Sequence, residues 1–497
     1  MSAQSMATAA DTREGDRRRW LILSVLVVAQ FMVVLDVAIV NVALPTIKND
    51  LHFSQDGLQW VITAYAIVFG GVLLLGGRMA DLLGRRRIFM AGMAVFTVFS
   101  LLNGLAWSSG SLIAFRGLQG LGAALLAPAA LSILTTTFRE GRDRNVALGI
   151  WGAASGSGGA AGVLLGGALT SALSWSWIFF INVPVGVLVL ALSPLLLKES
   201  RAELDHRHFD TAGAASITGG LMLLVYALTR ASQHGWVTGE TIGLLAASLA
   251  LVVGFLVIEL RSPAPLLPLG IFRLRTLSAS NINALLMGSA IFSQFFLLTL
   301  YMQQVLHYSA LKTGVAYIAL TLAIIIFSSV SQALVTRIGI RRVLPAGMAL
   351  AAAGLILYAQ LPVHGHYFSN LLPAFLLSGL GMALAFVPMS IGALTGVQPA
   401  DAGVASGLLN TTQQIGGAIG VAVVTTVATT YTAHYVGSHP GTSPLAGAAL
   451  THGFQVAFYV LAGLAVLAAV ISAIMIEPHV KAESGVEELV PAFEEAA

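Results

Sequence analysis

Gly76-Gly77-Arg78-Met79-Ala80-Asp81-Leu82-Leu83-Gly84-Arg85-Arg86-Arg87 stands between two apolar runs, each long enough to cross a bilayer. So many ionised side chains in so apolar a chain fit only a short loop between two membrane helices. Asp81 falls where one helix ends, and Gly84 permits a tight turn. The arginines must lie in water or among lipid headgroups. Arg116, in the next helix but one, adds to this basic set.

The composition points the same way. A soluble domain carries about 25% charged residues. This chain of 497 residues carries 9%, is 57% hydrophobic and has a mean hydropathy of +0.86. The bilayer must therefore be its solvent. The 52 glycines suit helices that approach closely. No basic face or aromatic stacking motif points to nucleic acid, and no Gly-x4-Gly-Lys-[Ser/Thr] loop points to ATP. The absence of cysteine rules out disulfides, thiol catalysis and Cys-ligated metal, and the 11 histidines show no metal spacing. No enzyme chemistry and no cofactor are implied, and ATP does not drive this chain directly.

Windows of about 20 mostly apolar residues mark spans. There are fourteen, near 20–44, 57–77, 88–107, 111–136, 146–172, 177–197, 211–229, 241–260, 277–305, 313–336, 343–361, 370–394, 403–430 and 453–476. With both termini in the cytoplasm, the cytoplasmic segments hold 21 of the 25 Lys and Arg residues, and the outer loops hold Lys48, Arg230 and Lys312. That bias sets the orientation. Asp16-Arg17-Arg18-Arg19-Trp20 reads as the end of an uncleaved cytoplasmic tail rather than an export signal, because the span that follows is too long. The stretch 431–452, rich in Gly, Ser, Thr, Pro and His, reads as a long mobile outer loop, and the acidic tail from Glu477 as disordered.

Residues 78–93 align without gaps on 333–348, matching Gly84, Arg86, Arg87, Gly92 and Met93 to Gly339, Arg341, Arg342, Gly347 and Met348. Gly120-Leu121-Gly122 matches Gly379-Leu380-Gly381. The expected architecture is all-α and polytopic, two six-helix bundles with an inserted pair. Its parts are a tail at 1–19, a first bundle at 20–198, an insert at 199–276, a second bundle at 277–476 and a tail at 477–497. Two like halves around a central cavity is a secondary-transporter plan. Asp81 aligns with Thr336 and Arg116 with Phe375, so the ionic machinery is expected in the first half.

Asp36 is the acidic residue deep inside a span, where a carboxylate costs about 2.5–3.5 kcal/mol on insertion scales. It reads as a proton carrier that also attracts a cationic substrate, or as a structural partner of Arg116. Arg116 shares a helix face with Gln119 and Gly120. Gly156, Gly158, Gly162, Gly166 and Gly167 form a row that lets another helix approach, for tight contact or for sliding. Candidates for the cavity lining are Gln30, Asn41, Trp60, Tyr65, Asn410, Gln413 and Gln414. Phe292, Phe295 and Phe296 are further aromatic candidates for stacking on a lipophilic cation.

Leu35-Asp36-Val37-Ala38-Ile39-Val40-Asn41-Val42-Ala43-Leu44-Pro45, Trp60 to Tyr65, residues 77–87, Arg116 to Gly122 and Ala402 to Gly417 together resemble the fourteen-helix drug:proton antiporters of the major facilitator superfamily, the EmrB/QacA-type multidrug exporters. The resemblance covers nearly the whole chain. It implies that Gly77, Asp81, Gly84, Arg85, Arg86 and Arg87 form a cytoplasmic gate, and that Asp36, Arg116 and Gln119 serve proton coupling and substrate. Two departures stand out: Gly159 and Val163 occupy places where the family's helix-5 motif carries prolines, and Leu82 replaces a frequent arginine.

The reading is a multi-pass exporter in the bacterial cytoplasmic membrane, with both termini cytoplasmic, that moves small amphipathic or cationic compounds against protons. The oligomeric state is open, and a monomer is compatible with it. The alternatives are a proton-coupled importer of a small nutrient and a non-transporting receptor or scaffold on the same fold.

Overall fold

The computed structural model describes residues 3–53, 55–138, 141–201, 210–262 and 265–477. No strand occurs among them. The membrane helices are α1 (Ala3–Asp50), α2 (Gln55–Leu83), α3 (Arg85–Gly104), α4 (Ser109–Thr137), α5 (Arg142–Ala172), α6 (Trp177–Leu196), α7 (Thr211–His234), α8 (Gly239–Arg261), α9 (Arg275–Val305), α10 (Leu311–Ile338), α11 (Ile340–Tyr358), α12 (Tyr367–Gly392), α13 (Ala402–Ser438) and α14 (Gly447–Met475). Thirteen are long and apolar enough to cross a membrane, and α5, bent by 41° between Gly159 and Ala161, makes a fourteenth where its two parts count as one span.

The turns follow from local chemistry. Gly84 (φ 113°) separates α2 from α3, and its aligned partner Gly339 (φ 83°) separates α10 from α11. Both hold a backbone conformation that costs glycine little. Ser108 caps α4, Asp210 caps α7 and Thr238 caps α8 through their side-chain oxygens. One expectation is corrected. The stretch 431–452 is not one long loop, because α13 continues to Ser438 and α14 begins at Gly447. Tyr435 stacks on His439 at 4.1 Å and lies 5.4 Å from His452, which extends the helical contact beyond the apolar window. Beyond Glu477 the acidic tail lies outside the described residues.

Helix contacts repeat. In the first half α1 packs on α5, α2 and α3 on α4, and α3 on α6; in the second, α9 packs on α13, α10 and α11 on α12, and α11 on α14. The halves meet along two seams, α2 with α13 and α5 with α10. The inserted α7 and α8 pack on each other, and α7 lies against α2 and α13.

Candidate functional site

Asp36 (0% exposed) lies in the second half of α1 and faces Arg116 (1% exposed) on α4. Arg116 Nη1 lies 2.7 Å from Asp36 Oδ2. The other carboxylate oxygen accepts from Gln119 Nε2 and Asn182 Nδ2, both at 2.9 Å. Gln119 is one helical turn from Arg116, so α4 presents both to α1 at once. Its Oε1 accepts in turn from Arg116 Nη1 at 2.6 Å and Asn103 Nδ2 at 2.8 Å. Arg116 Nε donates to the Val61 carbonyl at 3.1 Å, and the guanidinium lies 4.3 Å from the centre of the Tyr65 ring. Asn182 also donates to Ser100 Oγ at 3.1 Å. Five helices thus converge on one buried ion pair, and every donor aimed at Asp36 suits the ionised carboxylate.

The second cluster lies at the end of the α2–α13 seam where α2 ends and α13 begins. Asp81 is buried and holds Arg85 through bonds of 2.9 and 3.2 Å to Oδ1. It also accepts from the backbone N–H of Gly403 and of Val404, each at 3.1 Å. These amides open α13, so a carboxylate from one half caps a helix of the other, where the helix dipole favours negative charge. Gly77 makes this possible: it faces the Gly403 carbonyl and Gly407, leaving no room for a side chain. Arg86 and Arg87 do not reach Asp81. They turn to Glu199 beyond α6, at 3.9 and 3.7 Å, while the Arg86 amide donates to Glu199 Oε1 at 3.2 Å. Asp401, just ahead of α13, has its carboxyl pushed up by burial and pulled back by the Arg78 guanidinium.

The glycine row of α5 is shared between two neighbours. Gly158, Gly162 and Gly166 face Val34, Leu35, Ala38, Ile39 and Val42 of α1, whereas Gly156 faces Ile324 of α10. Gly167 is buried.

The residues proposed for the lining divide. Tyr65 is buried beside Arg116, with its hydroxyl unpartnered. Gln30 is buried and donates to Ser155 of α5 at 3.3 Å. Trp60 does not line a cavity with them: it is 38% exposed and stacks on Tyr226 of α7 at 5.7 Å, because the insert covers that face of α2. Asn41 and Asn410 spend their amides on their own helices, at Val37 and Ser406. Gln413 and Gln414 are half-buried, and Gly288 of α9 lies against the Gln413 backbone. Of the further aromatics, Phe295 stacks on Tyr317 at 5.1 Å and Phe292 lies against Gly417. Asn182, Asn103 and Ser100 were not foreseen. The signal was there, as each is a polar residue within an apolar span.

A sequence profile described as Major Facilitator Superfamily matches residues 26–421. The chain is 41% identical over 482 residues to the puromycin resistance protein pur8 of Streptomyces alboniger, covering 96% of this chain and 95% of that one. It is 41% identical over 396 residues to the cephamycin export protein CmcT of Amycolatopsis lactamdurans, covering 79% and 82%. Among solved structures it is similar to the human organic anion transporter MFSD10, with a TM-score of 0.65 and 17% identity over 92% of this chain and 99% of that one. That likeness concerns the fold alone.

Proposed function

Because this chain belongs to the major facilitator superfamily, we propose that it exports small amphipathic compounds, antibiotics or a secondary metabolite among them, across the bacterial cytoplasmic membrane in exchange for protons. Relatives named for puromycin resistance, cephamycin export, tetracenomycin C export and lincomycin resistance support the direction and the substrate class.

The observation that carries the antiport reading is the donor set of Asp36. Its two oxygens accept from Arg116, Gln119 and Asn182, all donors. A proton that joins the carboxylate removes the charge that strengthens these bonds, and each bond ties α1 to α4 or α6. Protonation therefore loosens the centre of the first half, and deprotonation tightens it. A cationic or polar substrate group competes for the same carboxylate. In the proposed cycle the substrate leaves outward while the Asp81 latch keeps the cytoplasmic side shut. Asp36 takes a proton from outside and releases it inside.

The test is a drug-susceptibility panel in an efflux-deficient host, paired with uptake into inverted vesicles at varied pH gradients. The expected result is tolerance to at least one amphipathic antibiotic, with puromycin tried first, and uptake that rises with an acid vesicle interior. Unchanged tolerance throughout, with the protein present in the membrane, would sink the export reading. Export indifferent to the gradient would sink antiport.

A further inference from the structure

The first turn of α5 sends three successive side chains to three different helices. Asp143 turns back to its own half, where its carboxylate lies 2.7 Å from Arg19 Nη2 on α1. Asn145 Nδ2 reaches Thr336 Oγ1 of α10 at 3.5 Å. Arg144, between them and half-buried, donates from Nη2 to the Leu394 carbonyl at 3.2 Å, just past the end of α12. Two glycines on the following turns bring α5 close to the other half. Gly149 lies against Gln332 of α10, and Gly152 against Phe386 and Val387 of α12. The cycle above does not use Arg144.

Leu394 is buried and stands at the head of the connection that runs from α12 to α13. Gly396, with φ 73°, turns that connection. At its other end Asp81 accepts from the Gly403 and Val404 amides, each at 3.1 Å. The first half therefore grips one connection of the second half at both ends. The signs of charge are matched to the helices. A helix C-terminus carries partial negative charge and favours a cation, whereas an N-terminus favours an anion. Here a guanidinium stands at the exit of α12 and a carboxylate at the entry of α13. When the halves part on this side, α12 and α13 leave α5 and α2 together, because one short connection joins them. Both grips then break in the same step.

We propose that Arg144 is a positioning residue of the transport cycle: together with Asp81 it holds the α12–α13 connection as one clasp, and the side that the Asp81 latch shuts opens only when both ends let go. This rests on the alternating-access reading given above. It makes the two seams between the halves one gate rather than two.

The chain has no cysteine, so a single introduced thiol reports on opening. Two buried serines flank the clasp: Ser390, one turn before Leu394 on α12, and Ser406, one turn beyond Gly403 on α13. Ser390→Cys and Ser406→Cys are made separately. Their rates of reaction with a membrane-impermeant maleimide are read on inverted vesicles, with puromycin and an imposed pH gradient as triggers. In R144Q the labelling rate should rise about tenfold at both positions, the equivalent of one decade in the opening equilibrium. D81N should likewise speed both. R144K, which keeps the cation, should return most of the parent rate. Labelling in R144Q equal to the parent overturns the proposal. So does R144Q acting at Ser390→Cys alone, or D81N at Ser406→Cys alone, since the two contacts would then be independent. R144K as fast as R144Q overturns it too, because charge at the end of α12 would carry no part of the grip. Should R144Q fail to reach the membrane, Gly396→Ala carries the test. A Cβ at that φ strains the turn that follows Leu394, so labelling should rise at both positions, and a rise at one or at neither overturns the proposal. If labelling of both parent proteins responds to neither trigger, the alternating-access reading itself is refuted, and the proposal with it.

Discussion

The two halves share a plan of helix contacts and differ in what fills its centre. In the first half Asp36 of α1 meets Arg116 and Gln119 of α4. At the corresponding places the second half has Gln294 of α9 with Phe375 and Ser378 of α12. Ser378 donates to Gln294 at 2.9 Å, and Phe375 lies among Tyr317, Tyr358 and Tyr367 at 5.5, 5.9 and 6.3 Å. The cytoplasmic ends repeat the contrast. Asp81 holds Arg85 and two amides of α13, whereas Thr336 receives one 3.5 Å bond from Asn145 across its seam. What the halves keep in common is glycine at the crossings. Gly92 and Gly122 bring α3 onto α4, and Gly347 and Gly381 bring α11 onto α12. Backbone approach carries the fold in both halves, and the buried ion pairs among the described residues lie in one of them.

The largest effect should separate Asp36 from Gln294. Asp36→Asn removes the titrating group while keeping its shape, so uphill export and its pH dependence should vanish, and Asp36→Glu should retain part of both. Gln294→Ala should leave gradient-driven export in place. Proton-driven export by Asp36→Asn in vesicles would end the assignment of the coupling to the first half. Strong export of a divalent cation would count against it equally, since one carboxylate cannot balance two charges and also exchange a proton.

Arg116 against Phe375 comes next. Arg116→Ala strands a buried carboxylate and should destabilise the protein by about 3–5 kcal/mol, because breaking a buried pair exposes the full desolvation penalty. Pairing it with Asp36→Asn should recover much of that loss. Phe375→Leu, a change within an aromatic cluster, should cost about 1 kcal/mol. Thermal unfolding of the purified variants ranks the three, and near-equal losses for Arg116→Ala and Phe375→Leu would remove the contrast.

At the gate, Asp81→Asn weakens charge-assisted bonds to Arg85, Gly403 and Val404. Hydrogen bonds to charged groups contribute about 1.5–3 kcal/mol each. Transport should fall while substrate binding survives, because Asp81 lies at the far end of α2, away from the Asp36 cluster. Full transport by Asp81→Asn would reduce the motif to a signal for membrane orientation.

The sequence made much of this contrast legible. Hydropathy located every span, since a bilayer imposes one length on all of them. Asp36, Arg116 and Gln119 stood out as polar groups where water is absent. Asn182 also lies within an apolar span, but its position alone does not join it to them. Its partner lies 146 residues away, and no periodicity reports which face of α6 meets α1. An aromatic near a span end likewise does not announce its neighbour: Trp60 meets Tyr226 of the insert.

The smallest effect belongs to Thr336, and it sharpens the comparison most cheaply. Thr336 occupies the place of Asp81, yet its link across the α5–α10 seam is a bond at the limit of useful length, on an exposed hydroxyl. A bond of that length between neutral groups in contact with water contributes less than about 0.5 kcal/mol. Thr336→Val should therefore leave transport unchanged, whereas Asp81→Asn lowers it. If Thr336→Val slows transport as much as Asp81→Asn, the second seam is a latch of equal weight. The asymmetry of charge would then not be an asymmetry of gating, and only the Asp36 site would still distinguish the halves.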